Sequence, residues 1–271
     1  MHPIPVRTMQ FDVPAREDFH PLYIAGNAEL SYQHSGTGLY VAHLEPFFVK
    51  SLRRVMDRIR DEKLREEVDR FCRQEAQHYQ RHVDFNGVVL AHGYPGLQER
   101  VDRLKQDFAG FLTDASDEFR IGYIEGFESY TTQLGLRMLN IGLYDHKRTD
   151  RAFGDLFKWH MLEEIEHRNV AFDVYQHLYG NYMHRARMCW FAQHHMLKFL
   201  SDCEKIMCAA DIPRHGERCC VRLKHRLLSR IVTTRMRAYS LMPWYTPHAY
   251  RIPRRVEALS AHFTQLARQV H

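Results

Sequence analysis

From residue 38 onward, apolar residues recur at spacings of three and four through eight segments: 38–58, 61–91, 97–113, 115–141, 150–178, 182–209, 216–240 and 252–270. That period predicts helices with one buried face. Turn formers separate the segments, among them GYPG at 93–96, NIGLYDH at 140–146, YGN at 179–181, DIPRHG at 211–216 and MPWYTPHAYRIP at 242–253. Alternating strand-type runs are nearly absent, so the class expected is an all-α helical bundle. Residues 1–35 carry four of the ten prolines and predict an extended arm wrapped on the domain. No linker composition interrupts the rest, so residues 1–271 read as a single domain. Its parts are the arm, a four-helix core over 38–180, and further helices over 181–271.

Two of the apolar faces are interrupted by acids and imidazoles. In 150–178, Glu163, Glu164 and His167 fall within about 60° of His160 on a helical wheel. Their stripe is continued by Phe153, Leu156 and Phe157 on one side and Ala171 and Val174 on the other. Glu166 points away and is expected to face solvent. In 61–91, Glu75 shares a stripe with His78 and His82, continued by Leu64, Val68 and Phe71. Carboxylates buried without partners cost several kcal/mol each, so such islands call for counter-charges or a metal.

Both islands contain Glu-x-x-His, which sets a carboxylate and an imidazole one turn apart on one face. Each is preceded by another core-facing glutamate: Glu45 lies 30 residues before Glu75, and Glu128 lies 36 before Glu164. Those offsets suit a chain that runs along one helix, turns and returns to the same height. Two helix hairpins that each supply Glu plus Glu-x-x-His form the ligand pattern of ferritin-like di-iron carboxylate bundles. His160, one turn before Glu164, adds a third imidazole. Glu128 is preferred over Glu125 because Ile121, Ile124 and Leu139 centre the stripe near it. His82, Glu125 and Glu163 are candidates for partners that orient the ligands from outside. Pro46 disfavours helical geometry at Glu45, so a helix start or kink is expected there.

Composition changes this picture little. Hydrophobic residues make up 45% of the 271, enough for a sizeable core, and no apolar run is long enough for a membrane span. The N-terminus lacks the apolar stretch of a secretion signal, so a cytoplasmic location is expected. The six cysteines form no C-x-x-C pair and read as reduced thiols. Charge is uneven. Residues 181–271 carry 16 Lys and Arg against 5 Asp and Glu, whereas residues 1–180 carry 22 against 28. No nucleic-acid-binding pattern accompanies the basic part, and no nucleic-acid partner is expected.

The segments LEPFFVKSLRR, FCRQEAQHYQRHVDFN, EGFESYTTQL and FKWHMLEEIEHRNVAFDVY resemble successive motifs of a bacterial family of predicted metal-dependent hydrolases. A looser likeness extends to MPWYTPHAY. The His-x-x-x-Glu-x-x-His segment is also similar to that of di-iron arylamine N-oxygenases of the p-aminobenzoate N-oxygenase type. Their ligand set of four glutamates and three histidines implies Glu45, Glu75, His78, Glu128, His160, Glu164 and His167 here. Glu45 departs most from that pattern, because a proline follows it. The expectation is a non-haem di-iron oxygenase with two iron ions that uses O2 and an electron donor to oxidise a small organic substrate. The alternatives are a di-metal hydrolase, with manganese or zinc in place of iron, and a metal-binding or storage protein. A homodimer is left open.

Overall fold

The computed structural model describes residues 4–269. Among them are nine α-helices and no strand: α1 (Ala28–Val55), α2 (Glu62–Ala91), α3 (Leu97–Asp114), α4 (Asp117–Asn140), α5 (Arg151–Glu166), α6 (Val170–Leu178), α7 (Tyr182–His215), α8 (Leu223–Ser240) and α9 (Arg254–Gln269). Residues 1–3 of the expected arm and the last residue of the expected helix 252–270 lie outside this range. Five starts are fixed by side-chain caps, in which the oxygens of Asn27, Asp61, Ser116, Asp150 and Asn181 accept backbone N–H groups of the first turn. The helices are therefore bounded by chemistry written at their ends. No helix of the described residues is long and apolar enough to cross a membrane.

Helices α1, α2, α4 and α5 form the four-helix core, with α1 laid along α2 and α4 along α5. Three of the departures from the sequence expectation bear on the site. First, the arm ends early, because α1 starts at Ala28 rather than near residue 38, and it runs unbroken through Pro46. Proline removes one helical hydrogen bond, and packing on both sides of α1 holds the helix across the gap. Second, the expected helix 150–178 is broken at residues 167–169, so His167 caps the end of α5 instead of lying mid-helix. Third, α7 is more than a cover. It buries Met188, Cys189, Ala192, Met196, Phe199, Cys203 and Met207 against α1, α3 and α4.

Two glycines permit the closest approaches. A Cβ on Gly126 of α4 would stand 2.6 Å from the Cys189 Cα of α7, so the two backbones meet where only a hydrogen fits. A Cβ on Gly38 of α1 would stand 2.9 Å from the Asn86 Oδ1 of α2, whose amide donates to the Gly38 carbonyl at 2.8 Å. These contacts set the spacing of the helices that carry the polar islands. The arm closes the opposite side, with Ile4, Met9, Phe19, Tyr23 and Ile24 buried in the core.

Candidate metal centre

The bundle brings seven acids and imidazoles to one place at its centre. Glu45 comes from α1, Glu75 and His78 from α2, Glu128 from α4, His160 and Glu164 from α5, and His167 from the residue that ends α5. None is more than 2% exposed. Their donor atoms fall into overlapping groups, each within 4.8 Å: Glu45, Glu75 and His78 on one side, Glu75, Glu128, Glu164 and His167 on the other. Glu75 belongs to both. A further group of His78, His160 and Glu164 links the sides again, and Glu45, His82 and His160 form a fourth.

Each of two imidazoles is held from behind by a partner that fixes its tautomer. The Gln74 amide nitrogen donates to the Pro5 carbonyl at 2.8 Å, which leaves its oxygen to accept from His167 Nδ1 at 3.0 Å. His167 Nε2 is thereby bare and faces Glu128 at 3.2 Å, Glu75 at 3.5 Å and Glu164 at 3.7 Å. Glu163 does the same for His78. It accepts from His78 Nε2 at 3.1 Å and turns Nδ1 toward Glu75 at 3.8 Å and Glu45 at 3.9 Å. Glu163 is itself anchored by the Trp159 indole and the Arg7 guanidinium, both at 2.9 Å.

His160 is placed differently. Its Nε2 lies 3.0 Å from Glu164, its Nδ1 lies 2.6 Å from His82 Nε2, and its ring stacks on that of His78 with centroids 4.3 Å apart. Both of its nitrogens have partners. Burial, together with the nearby His78, lowers its affinity for a proton, and burial beside His160 depresses His82 well below the ordinary value. The two rings form a neutral pair.

The charged forms are unevenly distributed. Burial and the neighbouring Glu75 push the Glu45 carboxyl well above the usual range, and burial with Glu164 nearby raises Glu128 to about 8. Burial opposes charge on Glu164 too, but the hydrogen bond from His160 and the nearby His167 imidazole outweigh it and hold this carboxyl well below the usual range. The same burial disfavours protonated His78 and His167, yet Glu163 and Glu75 raise the first and Glu128 raises the second. The cluster is a set of acids and bases that share too few protons inside the bundle.

Eight buried atoms of the seven residues have no hydrogen-bond partner: both oxygens of Glu45 and of Glu128, one each of Glu75 and Glu164, His78 Nδ1 and His167 Nε2. Buried polar groups are otherwise nearly always satisfied. Four carboxylates, with bare nitrogens aimed among them, match the charge and donor types that two divalent cations require. The residues present therefore fit a metal pair.

Two sequence expectations meet a different geometry. Glu125 faces away from the cluster to α7, where Arg185 donates to it at 3.1 Å and the Cys189 thiol at 2.9 Å. Glu166, expected in solvent, is gripped by Arg7 at 2.7 and 2.8 Å and by Ser260 of α9 at 2.6 Å. The arm and α9 cover the face of α5 that the wheel assigned to water. Sequence reasoning missed Arg7, Gln74 and Trp159. Gln74 adjoins Glu75 and Trp159 adjoins His160, but nothing local marks Arg7.

A family model described as "Predicted metal-dependent hydrolase" matches residues 5–250, nearly the whole chain. No curated protein and no solved structure matches. This finding corrects the oxygenase expectation. The description names metal-dependent hydrolysis, the alternative reading of the same ligands, in place of O2 chemistry. Carboxylates and imidazoles serve either reaction, so the donor pattern could not separate them.

Proposed function

The chain belongs to the predicted metal-dependent hydrolase family, and from that premise we propose that it hydrolyses an ester or phosphoester of a small organic molecule at a pair of divalent metal ions. Glu45 and His78 would hold one ion, Glu128 and His167 the other, with Glu75 and Glu164 reaching both and His160 as an additional nitrogen donor. The single observation that carries this reading is the set of eight unpartnered buried atoms on six of these side chains. Iron, manganese and zinc all accept mixed carboxylate and imidazole donors. When bound, such a pair supplies Lewis acidity, which brings the pKa of water from about 15.7 toward about 7 and offsets charge on the oxygens of the bond being cleaved.

The protein's own groups do the rest. Four carboxylates neutralise the ions, so the centre is near zero net charge and compatible with burial. Gln74 and Glu163 keep the lone pairs of His167 and His78 pointed inward. The neutral His82 ring holds His160 at Nδ1, and His160, which lines a cavity, keeps its Nε2 on Glu164. Phe127, Phe157 and Met161 line that cavity and limit the water around the reacting bond.

The test begins with chelator-treated protein reloaded with Mn(II), Zn(II) or anaerobic Fe(II). Two ions per chain are expected, with cleavage of a p-nitrophenyl ester or of bis-p-nitrophenyl phosphate above the metal-free rate. Two bound ions with no cleavage under any loading would sink the reading. Glu163→Gln is expected to weaken metal binding by about 10–100-fold, because it loosens the His78 ring without removing a ligand. A competition titration against a chromophoric chelator measures this, and an unchanged affinity would remove Glu163 from the role.

A further inference from the structure

A cavity of about 500 Å³ reaches from the surface to His160. Its walls come from α1, α4, α5 and α7, and its roof is α8. The inner walls are apolar, with Phe127, Leu134, Phe157, Met161 and Met196 among them. The roof is the opposite. Arg226, Ser229, Arg230, Thr233, Thr234 and Arg237 all line the cavity, at spacings that put them on one face of a helix. Leu227, Leu228 and Ile231 on the other face are at least half exposed. This helix lays a polar, part-exposed side over the cavity and leaves apolar side chains outward, unlike an ordinary covering helix.

Such an inversion needs a reason inside the cavity, and charge supplies one. The lining holds four cations, Lys205, Arg226, Arg230 and Arg237, against two carboxylates, Glu29 and Glu204. Arg226 is paired with Glu204 at 3.0 Å, and Lys205 approaches Asp202 at 3.9 Å. Arg230 makes no hydrogen bond or ion pair among the described residues. Arg237 has no carboxylate partner, and its buried Nε meets no acceptor. Arg230, exposed at the rim, and Arg237, half-buried, thus stand beside the apolar walls without a carboxylate partner. Burial raises the Glu29 carboxyl, which weakens it as a competing anion.

We propose that this cavity binds an organic anion with an apolar body, the charged group held by Arg230 and Arg237 and the body lying along the apolar walls toward His160. As the identity of a substrate this rests on the hydrolytic reading above; as a binding site it does not. The volume is that of a site for a molecule of drug-like size. Guanidinium groups suit carboxylate, sulfonate and phosphate alike, because each offers two oxygens to the fork. The substrate class is therefore an amphipathic ester or phosphoester that carries a separate negative charge.

Calorimetry on the metal-loaded full chain tests this with decanesulfonate, decanol and decyltrimethylammonium, since a sulfonate is a poor metal ligand and reports the guanidinium groups. Decanesulfonate is expected to bind roughly tenfold or more tightly than decanol, and the ammonium compound more weakly than either. The double variant Arg230→Ala, Arg237→Ala should lose the preference for the sulfonate and keep its decanol affinity. Arg235→Ala, on the outer face of α8, should change nothing. Equal binding of sulfonate and alcohol by the unaltered protein would overturn the proposal, as would a preference that survives in the double variant. Sulfonate preference without cleavage of any ester would leave the anion site standing and remove the hydrolytic reading. Cleavage without that preference would do the reverse.

Discussion

Glu75→Ala is expected to reduce the metal content from two ions per chain to one or none, and to lower the hydrolytic rate at least about a thousandfold, which corresponds to about 4 kcal/mol of lost barrier reduction. The oxygens of Glu75 fall in two groups of donors, with Glu45 and His78 on one side and with Glu128, Glu164 and His167 on the other. Its removal takes a ligand from each ion. It also leaves the other carboxylates without enough positive charge to offset them, so the loss should exceed that from a ligand confined to one side. A buried glutamate can matter for reasons unrelated to metal, and Glu125→Gln controls for that. Glu125 is equally buried on α4 but is paired with Arg185. Its substitution should lower thermal stability while two ions remain bound. Metal analysis by emission spectroscopy, run beside the ester assay, decides the matter. A Glu75→Ala protein that keeps two ions and its rate would show that the cluster is not the catalytic centre.

The helices could be read in the sequence because their periodicity and their caps agree. Asp61, Ser116, Asp150 and Asn181 stand within two residues of the expected starts. The start of α1 was hidden by Ser35, Gly36, Thr37 and Gly38, which look like a turn. The glycines are there for contact instead. A Cβ on Gly36 would stand 2.9 Å from Leu200 of α7, and Gly38 sits against Asn86 of α2. Tertiary packing overrode local preference. The break after Glu166 contains neither glycine nor proline and left no local trace.

The site was legible to the extent that helical spacing defines it. Residues three and four apart on one face must meet, so Glu75 with His78 and Glu164 with His167 follow from the chain itself. Contacts made across the fold were not legible. Arg7 reaches Glu163 and Glu166 from 156 and 159 residues away, and no pattern around it distinguishes it from any surface arginine. The choice of reaction was also out of reach, because the ligand set is shared between hydrolytic and oxidative centres.

The metal-free protein should lose stability as pH rises from 6 to about 8.5, and metal should reverse that loss. In the folded state His78 and His167 hold their protons more tightly than ordinary imidazoles, so what they contribute is complete below their unfolded values and disappears as pH rises through their folded ones. Glu45 and Glu128, both raised, act in the same direction, with Glu128 ionising near pH 8. Glu164, His82 and His160 are lowered and so have the opposite sign: Glu164 changes only at acid pH, and the two imidazoles offset part of the decline only until pH passes the ordinary imidazole value. The four raised groups together predict a decline of a few kcal/mol. Metal binding requires those same protons to leave, so affinity rises over the interval in which the empty cage weakens. At a thousandfold excess over Kd each ion contributes about 4 kcal/mol, roughly 8 for the pair. For a chain of this length that raises Tm by roughly 15–25 °C at pH 8. Scanning calorimetry of the metal-free and reloaded protein at several pH values measures both slopes. If the metal-free protein is as stable at pH 8 as at pH 6, the buried acids already have their counter-charges within the protein, and the cage is an ion-pair network without need of metal.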